Sequence, residues 1–189
     1  MSRGTFGQLT RFAITIGEIL SDNGGSRRVD VWAADRWLTC ADNNVYVPHF
    51  AGCLQHAVRG LLSDPQCSRG RPYPKLSVED NYRRLRADAE TDNREYLSYR
   101  FMHWGPTADN VSVLLFREAG IAYLPFSFCW PDGQAPSELG KVFVAELPEW
   151  ELAGVMHDAA WALMWDWADR SKWPKQAEPK VAPDCGGIT

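Results

Sequence analysis

Alternation of apolar and polar residues between residues 94 and 130 constrains the fold of this chain more than any other feature. The segments REYLSYRFMHW, NVSVLLFREAG and IAYLPFSFCW all show this pattern. A period of two is typical of β-strands with one buried face. The tetrapeptide REAG, between the last two segments, predicts a hairpin turn, so these strands should be antiparallel.

A second group of strands is predicted near the N-terminus. RFAITIGEI alternates, VDVWAADRWL is compatible with a hairpin around AADR, and VYVP follows a turn. The period then changes, because apolar residues at 49–62 recur at the spacings of a helix face. These segments predict an antiparallel meander followed by a helix.

Three further elements are predicted along the chain, two helices and one strand. Ser77 is placed to cap a second helix, KVFVAEL predicts a last strand, and Pro148 opens a final helix. The order predicts an α+β fold, with a twisted antiparallel sheet and two or three helices. We expect one domain over residues 1–173, with the Trp-rich final helix packed on the sheet, and a Pro-rich, flexible tail at 174–189.

The final helix raises the question of why tryptophan is concentrated there. The segment HDAAWALMWDWADRSKW contains four of the nine tryptophans in the chain. Trp167 falls on the predicted core stripe with Leu152, Val155, Met156, Ala159 and Leu163. Trp161 and Trp165 lie four residues apart on a different face, and Trp173 follows the helix, where it would pin the tail.

Two interpretations of Trp161 and Trp165 follow from this spacing. The preferred one is that the helix packs between the sheet and a loop and buries both faces. The second is that the two indoles, with carboxylates around them, form a binding surface, since tryptophan is enriched among interface anchors.

Composition and charge exclude several functional classes. The chain has no apolar run long enough to span a membrane and no secretory signal pattern, which predicts a cytoplasmic protein. A formal net charge of −4 argues against nucleic-acid binding. Five cysteines without a CxxC pair predict reduced thiols rather than a disulfide framework or a structural zinc site.

One cluster has metal-ligating residue types at helical spacing. His49, Cys53 and His56 lie on one side of the predicted first helix, and imidazole and thiolate can bind Zn²⁺. No fourth ligand is evident, and Cys53 also belongs to the apolar face. We therefore favour a core cysteine flanked by polar histidines. The sequence shows no nucleophile elbow, P-loop or dinucleotide motif, so no catalytic residues are predicted.

Three stretches resemble immunity proteins of bacterial polymorphic-toxin and contact-dependent growth inhibition systems. They are GQLTRFAITIGEI, VDVWAADRWLTCADNNVYVPHFAGCLQHAV and GKVFVAELPEWELAGVMHDAAWAL, and the pattern is most similar to the immunity protein 42 family. The resemblance implies a cytoplasmic protein without enzymatic activity or cofactor. Its partner would be the C-terminal domain of a cognate toxin, for example a nuclease, and no nucleic acid or membrane would be bound.

The resemblance transfers no site residues, so the toxin-binding residues are predicted from the chain itself. An acidic surface suits a basic nuclease active site, because opposite charges steer association. The candidates are the acidic segment AETDNRE and five residues of the final helix: Asp158, Trp161, Trp165, Asp166 and Asp169. Two other functions stay open. One is a small hydrolytic or metal-dependent enzyme that uses His49, Cys53 and His56, and the other is a structural subunit that self-associates.

Overall fold

The computed structural model describes residues 4–63, 69–88, 95–129 and 138–169. The first half of the chain forms an antiparallel sheet with the strand order β1-β2-β3-β4, and β5 also pairs with β3. The bounds of its strands are β1 Gly4–Gln8, β2 Phe12–Ile19, β3 Ser26–Ala33, β4 Arg36–Trp37 and β5 Asn44–Tyr46.

The second half forms a separate antiparallel sheet with the order β10-β9-β7-β6, and β8 also pairs with β9. Its strands are β6 Arg100–Phe101, β7 Val111–Leu114, β8 Phe116–Glu118, β9 Ile121–Phe128 and β10 Phe143–Pro148. The fold is therefore α+β, as predicted, but with two sheets in place of one.

Four α-helices and a short 3₁₀ turn at Pro106–Ala108 complete the described fold. The helices are α1 Val47–Ser63, α2 Val78–Asp88, α3 Glu95–Tyr99 and α4 Glu149–Ala168. The main hydrophobic core forms where α1 and α4 meet both sheets. A smaller cluster, with Tyr82, Leu85 and Phe116 at its centre, lies under α2 and α3. The second sheet is thus covered on both faces.

Both predicted hairpin turns are confirmed. Ala34 and Asp35, between β3 and β4, have φ values of 48° and 59°, and Ala119 and Gly120, between β8 and β9, have φ values of 51° and 80°. Positive φ at both central residues is the geometry that matches the twist of paired strands in a two-residue loop. The predicted cap is also present, since Ser77 Oγ accepts a hydrogen bond from the Asp80 N–H at 3.0 Å.

The segment REYLSYRFMHW differs most from its prediction. Residues 95–99 form α3, and only Arg100 and Phe101 pair as a strand. Tyr96 is buried in the smaller cluster, where its hydroxyl lies 2.8 Å from Ser112 Oγ. Tyr99 packs against the same cluster, and one helical turn places residues at i and i+3 on one face, so tertiary contact overrides a short alternating pattern.

A close approach between β1 and α4 makes Gly7 sensitive to substitution. Gly7 has a φ of 85°, and a Cβ there would meet the Phe12 carbonyl oxygen and lie 2.8 Å from Val155 Cγ2. We expect Gly7→Ala to lower the free energy of unfolding by about 1–3 kcal/mol, because alanine is strained at this φ and has no room. Urea denaturation measures this change. Gly4→Ala is the matched control on the same strand, since its Cβ meets no atom within 4 Å; equal losses in both variants would contradict the prediction.

Candidate functional site

The outer face of α4 carries a row of exposed indoles. Trp150, Trp161 and Trp165 are 74%, 56% and 69% exposed, respectively. They stand at positions i, i+11 and i+15, which are close to whole numbers of helical turns, so they lie along one side of the helix. With a rise of 1.5 Å per residue, the row is about 22 Å long. We call this surface, formed by Trp150, His157, Asp158, Trp161 and Trp165, the α4 outer face.

The preferred interpretation of these tryptophans, burial on both sides of the helix, is wrong. The predicted core stripe is confirmed: Leu152, Val155, Met156, Ala159 and Leu163 are all buried. Trp167 is half-buried and packs against the main core. The sheets and α1 all pack on the side of α4 that carries this stripe, so Trp161 and Trp165 remain in solvent.

Polar groups on the α4 outer face include one carboxylate and one imidazole. The Asp158 side chain is 65% exposed, and its Oδ1 lies 3.1 Å from His157 Nδ1. The His157 ring also makes an edge contact with Trp161, with the ring centroids 6.3 Å apart. Asp169 is half-buried at the end of the helix, where its backbone N–H donates to the Trp165 carbonyl. The face therefore combines apolar area with an accessible negative charge.

Asp166 is placed differently from the prediction that grouped it with these residues. It is 3% exposed and accepts a hydrogen bond from Arg27 Nη1 at 2.6 Å, deep between α4 and β3. The Arg27 Nε also donates to the Gly17 carbonyl at 2.9 Å. A carboxylate held in this way stabilises the fold and is not available to a partner. Its neighbour in sequence, Trp165, points to solvent because adjacent helix positions differ by about 100°.

Trp150 was missed as a candidate, although the sequence contained a signal for it. It lies in the first turn of α4, between the carboxylate residues Glu149 and Glu151 in sequence. Its spacing to Trp161 and Trp165 would have placed it on their face. Both of those carboxylates are engaged in ion pairs, Glu149 with Arg117 and Glu151 with Arg11. They therefore fix the helix start and are not part of the exposed row.

An exposed row of this kind is suited to binding another protein. Large apolar side chains exposed together on a rigid helix mark an interaction surface more often than scattered ones do. Indoles contribute strongly when they are buried at an interface, and their faces also attract lysine and arginine. The α4 outer face therefore favours a partner that brings an apolar pocket and positive charge.

The cluster predicted as a weak metal site lies in a different place, on the wall of a cleft beside α1. His49, Cys53 and His56 all line this cleft, which has a volume of about 730 Å³. His49 Nε2 lies 3.6 Å from Cys53 Sγ. Within the described ranges, no three His, Cys, Asp or Glu side chains are arranged to hold a metal ion. Partial burial raises the pKa of the Cys53 thiol, which opposes formation of a thiolate ligand or nucleophile.

The same cleft contains a histidine whose charge depends on its neighbours. The pKa of His103 is lowered, first by partial burial, which disfavours the charged ring, and second by the positive charge of Arg100; Asp109 opposes these effects. Arg100→Gln should raise the pKa of His103 and leave it below the ordinary value, because burial remains. An NMR titration of the ring protons measures this pKa. Arg83→Gln, on α2, is the control and should leave the pKa of His103 unchanged. An unchanged pKa in Arg100→Gln would contradict the effect assigned to the Arg100 charge.

Some predicted features lie outside the described residues. They are Trp173, the tail at 174–189 and residues 89–94 of the acidic segment AETDNRE. Within the described part of the chain, no helix combines the length and hydropathy needed to cross a membrane.

Comparison with known proteins gives one structural relative. No protein-family model matches the chain, and no curated protein matches it either. Among solved structures, it is similar to CdiI from Burkholderia dolosa AUO158, with a TM-score of 0.58 and 13% sequence identity. The similarity covers 84% of this chain and 99% of that chain. The narrower assignment to the immunity protein 42 family stays a prediction, and the chain has the fold of a CdiI protein.

Proposed function

We propose that this chain is an immunity protein that binds a bacterial toxin domain and neutralises it, with the α4 outer face as the contact surface. The observation that carries the proposal is the row of Trp150, Trp161 and Trp165 on a helix whose other side is built into the core. Such a helix presents the three indoles without a change in the backbone. The fold of CdiI, an immunity protein of contact-dependent growth inhibition, supports the same function.

The charge of the surface suggests which toxins fit. Asp158 is exposed beside the indoles, and Asp169 lies at the end of the same helix. A toxin that cleaves nucleic acid carries lysine and arginine where it holds phosphates, so its active-site surface is complementary to the exposed Asp158 carboxylate. We therefore infer a nuclease as the toxin class that the face suits best.

The mechanism is occlusion by a preformed surface. The indoles would enter apolar recesses of the toxin or stack against its cationic side chains, and Asp158 would pair with a cation at the edge of the contact. The toxin active site, or the surface through which its substrate enters, would then be covered. The protein acts here as a stoichiometric inhibitor located in the cytoplasm and needs no cofactor.

The experiment that tests this function is a calorimetric titration with the C-terminal domain of a cognate toxin, sought as a large protein encoded immediately upstream of this chain. We expect 1:1 binding with a dissociation constant in the nanomolar range or below, as is common for an interface of ordinary size with strong anchors. Absence of heat at micromolar concentrations, with both proteins folded, would exclude this pairing. Sedimentation of the free protein is the control for self-association through the same indoles, which would favour the structural-subunit alternative.

A further inference from the structure

The cleft beside α1 has the size and form of a small-molecule site and is separate from the α4 outer face. Its volume of about 730 Å³ lies within the range of about 300–1,000 Å³ that is typical of ligand pockets. One wall is the side of α1 that carries His49, Cys53 and His56, and a second wall is residues 98–104. Tyr99 and Phe101 provide aromatic surface on that second wall.

The charge of this cleft is opposite to that of the whole chain. Three arginines line it, and no aspartate or glutamate does so among the described residues. The chain as a whole has 24 acidic and 20 basic residues. Cations that line one concave surface attract anions, because their fields add and the low-dielectric walls focus them. The lining therefore points to an anionic ligand.

Two of the arginines are available to such a ligand. Arg117 is already committed, because it pairs with Glu149 and donates to the Leu61 carbonyl. Arg69 and Arg100 are exposed, and neither has an ion pair with any carboxylate in the described ranges. Arg69 Nη1 donates to the Ser98 carbonyl at 3.3 Å, two residues before Arg100. This hydrogen bond holds the Arg69 side chain against the segment that carries Arg100. The Arg100 guanidinium carbon lies 6.0 Å from the centre of the Tyr96 ring, and both arginines line the cleft.

The α1 wall leaves room for a ligand body. Gly52, His56 and Gly60 follow one another at intervals of four residues on the cleft side of the helix. A glycine inside a helix costs about 1 kcal/mol relative to alanine. Neither glycine is required by packing, since a Cβ at either position would meet no described atom within 4 Å. The space above them is open cleft.

We propose that this cleft binds a small organic anion, with its planar apolar body against Tyr99 and Phe101 and its carboxylate or phosphate held by Arg69 and Arg100. Guanidinium groups form paired, charge-assisted hydrogen bonds with such anions, and aromatic walls accept a flat ring. The proposal is independent of toxin binding, because it uses neither the indoles of α4 nor Asp158.

Fluorescence titration with anilinonaphthalene sulfonate, an aromatic anion, tests the site in the full chain. We expect saturation at one molecule per chain and competition by phenyl phosphate. Inorganic phosphate should compete at least about tenfold more weakly, because it lacks the apolar body. Binding of several dye molecules without saturation, or equal competition by inorganic phosphate, would overturn the proposal.

Variants locate the site. Arg100→Glu should weaken dye binding by about tenfold or more, because a charge-assisted hydrogen bond is replaced by repulsion. Arg83→Glu makes the same charge change on α2, where Arg83 pairs with Asp80 outside the cleft, and should leave the affinity unchanged. Gly60→Phe should block the cleft sterically, with circular dichroism confirming the fold. Equal effects of Arg100→Glu and Arg83→Glu would overturn the assignment.

A final experiment distinguishes two occupants of the cleft, a free small molecule and an acidic side chain of a partner protein. The proposal expects the upstream-encoded toxin domain to leave the bound dye in place. Displacement of the dye by that domain, without competition by phenyl phosphate, would assign the cleft to the toxin interface and overturn the small-molecule site. Binding of the toxin domain to Arg100→Glu is measured in parallel. If this variant still binds the toxin domain, loss of the dye site is not a failure of the immunity function.

Discussion

Asp166→Ala is expected to lower the free energy of unfolding by about 3–5 kcal/mol, the largest stability change we predict for a single substitution. The reason is the buried Arg27 guanidinium, which would lose its carboxylate partner at 2.6 Å and remain between α4 and β3. A buried charge without a partner costs more than the ion pair itself contributes, because its solvation by water has been lost. Chemical denaturation measured by circular dichroism gives the change directly.

Two further variants make this prediction specific to the buried pair. Asp158→Ala removes an exposed carboxylate from the same helix and should change stability by no more than about 0.5 kcal/mol. The double variant Arg27→Leu, Asp166→Leu removes both charges and should recover much of the loss, since apolar replacements of a buried pair are often well tolerated. If Asp166→Ala were no more harmful than Asp158→Ala, the buried ion pair would not have the role assigned to it.

Trp161→Ala and Trp165→Ala should each weaken toxin binding by about thirtyfold, with little change in stability. Truncation of a tryptophan at the centre of an interface costs about 2 kcal/mol or more, which corresponds to that factor in the dissociation constant. Both indoles are mostly exposed in the free protein, so the core does not depend on them. Calorimetric titration with the toxin domain measures the affinity, and thermal unfolding of each variant measures stability.

The matched control for these variants is Tyr46→Ala. Tyr46 is also a large exposed aromatic residue, at 61%, but it lies on β5 and not on α4. Its truncation should leave toxin affinity within about twofold of the unsubstituted protein, as expected outside the contact. Wild-type affinity in a variant that lacks Trp150, Trp161 and Trp165 together would show that the toxin binds another surface, even if the immunity function itself is correct.

The sequence determined the local elements wherever periodicity and turn chemistry agreed. The hairpins at Ala34–Asp35 and Ala119–Gly120 and the cap at Ser77 were all predictable from a few neighbouring residues. The core stripe of α4 was predictable for the same reason, because residues three and four apart share a helix face. Alternation failed at residues 95–99, where Tyr96 and Tyr99 both pack against the smaller cluster from one helical turn.

Only the tertiary structure decided what covers each face. Periodicity groups Trp161 with Trp165, but exposure depends on where α1 and the two sheets pack, and these come from distant parts of the chain. The buried position of Asp166 depends on its ion pair with Arg27, which is 139 residues away in sequence. The cationic cleft likewise combines α1 with residues 98–104. The pattern of a sequence specifies which side chains lie together on an element, whereas burial and charge pairing arise from contacts between elements, which no local pattern encodes.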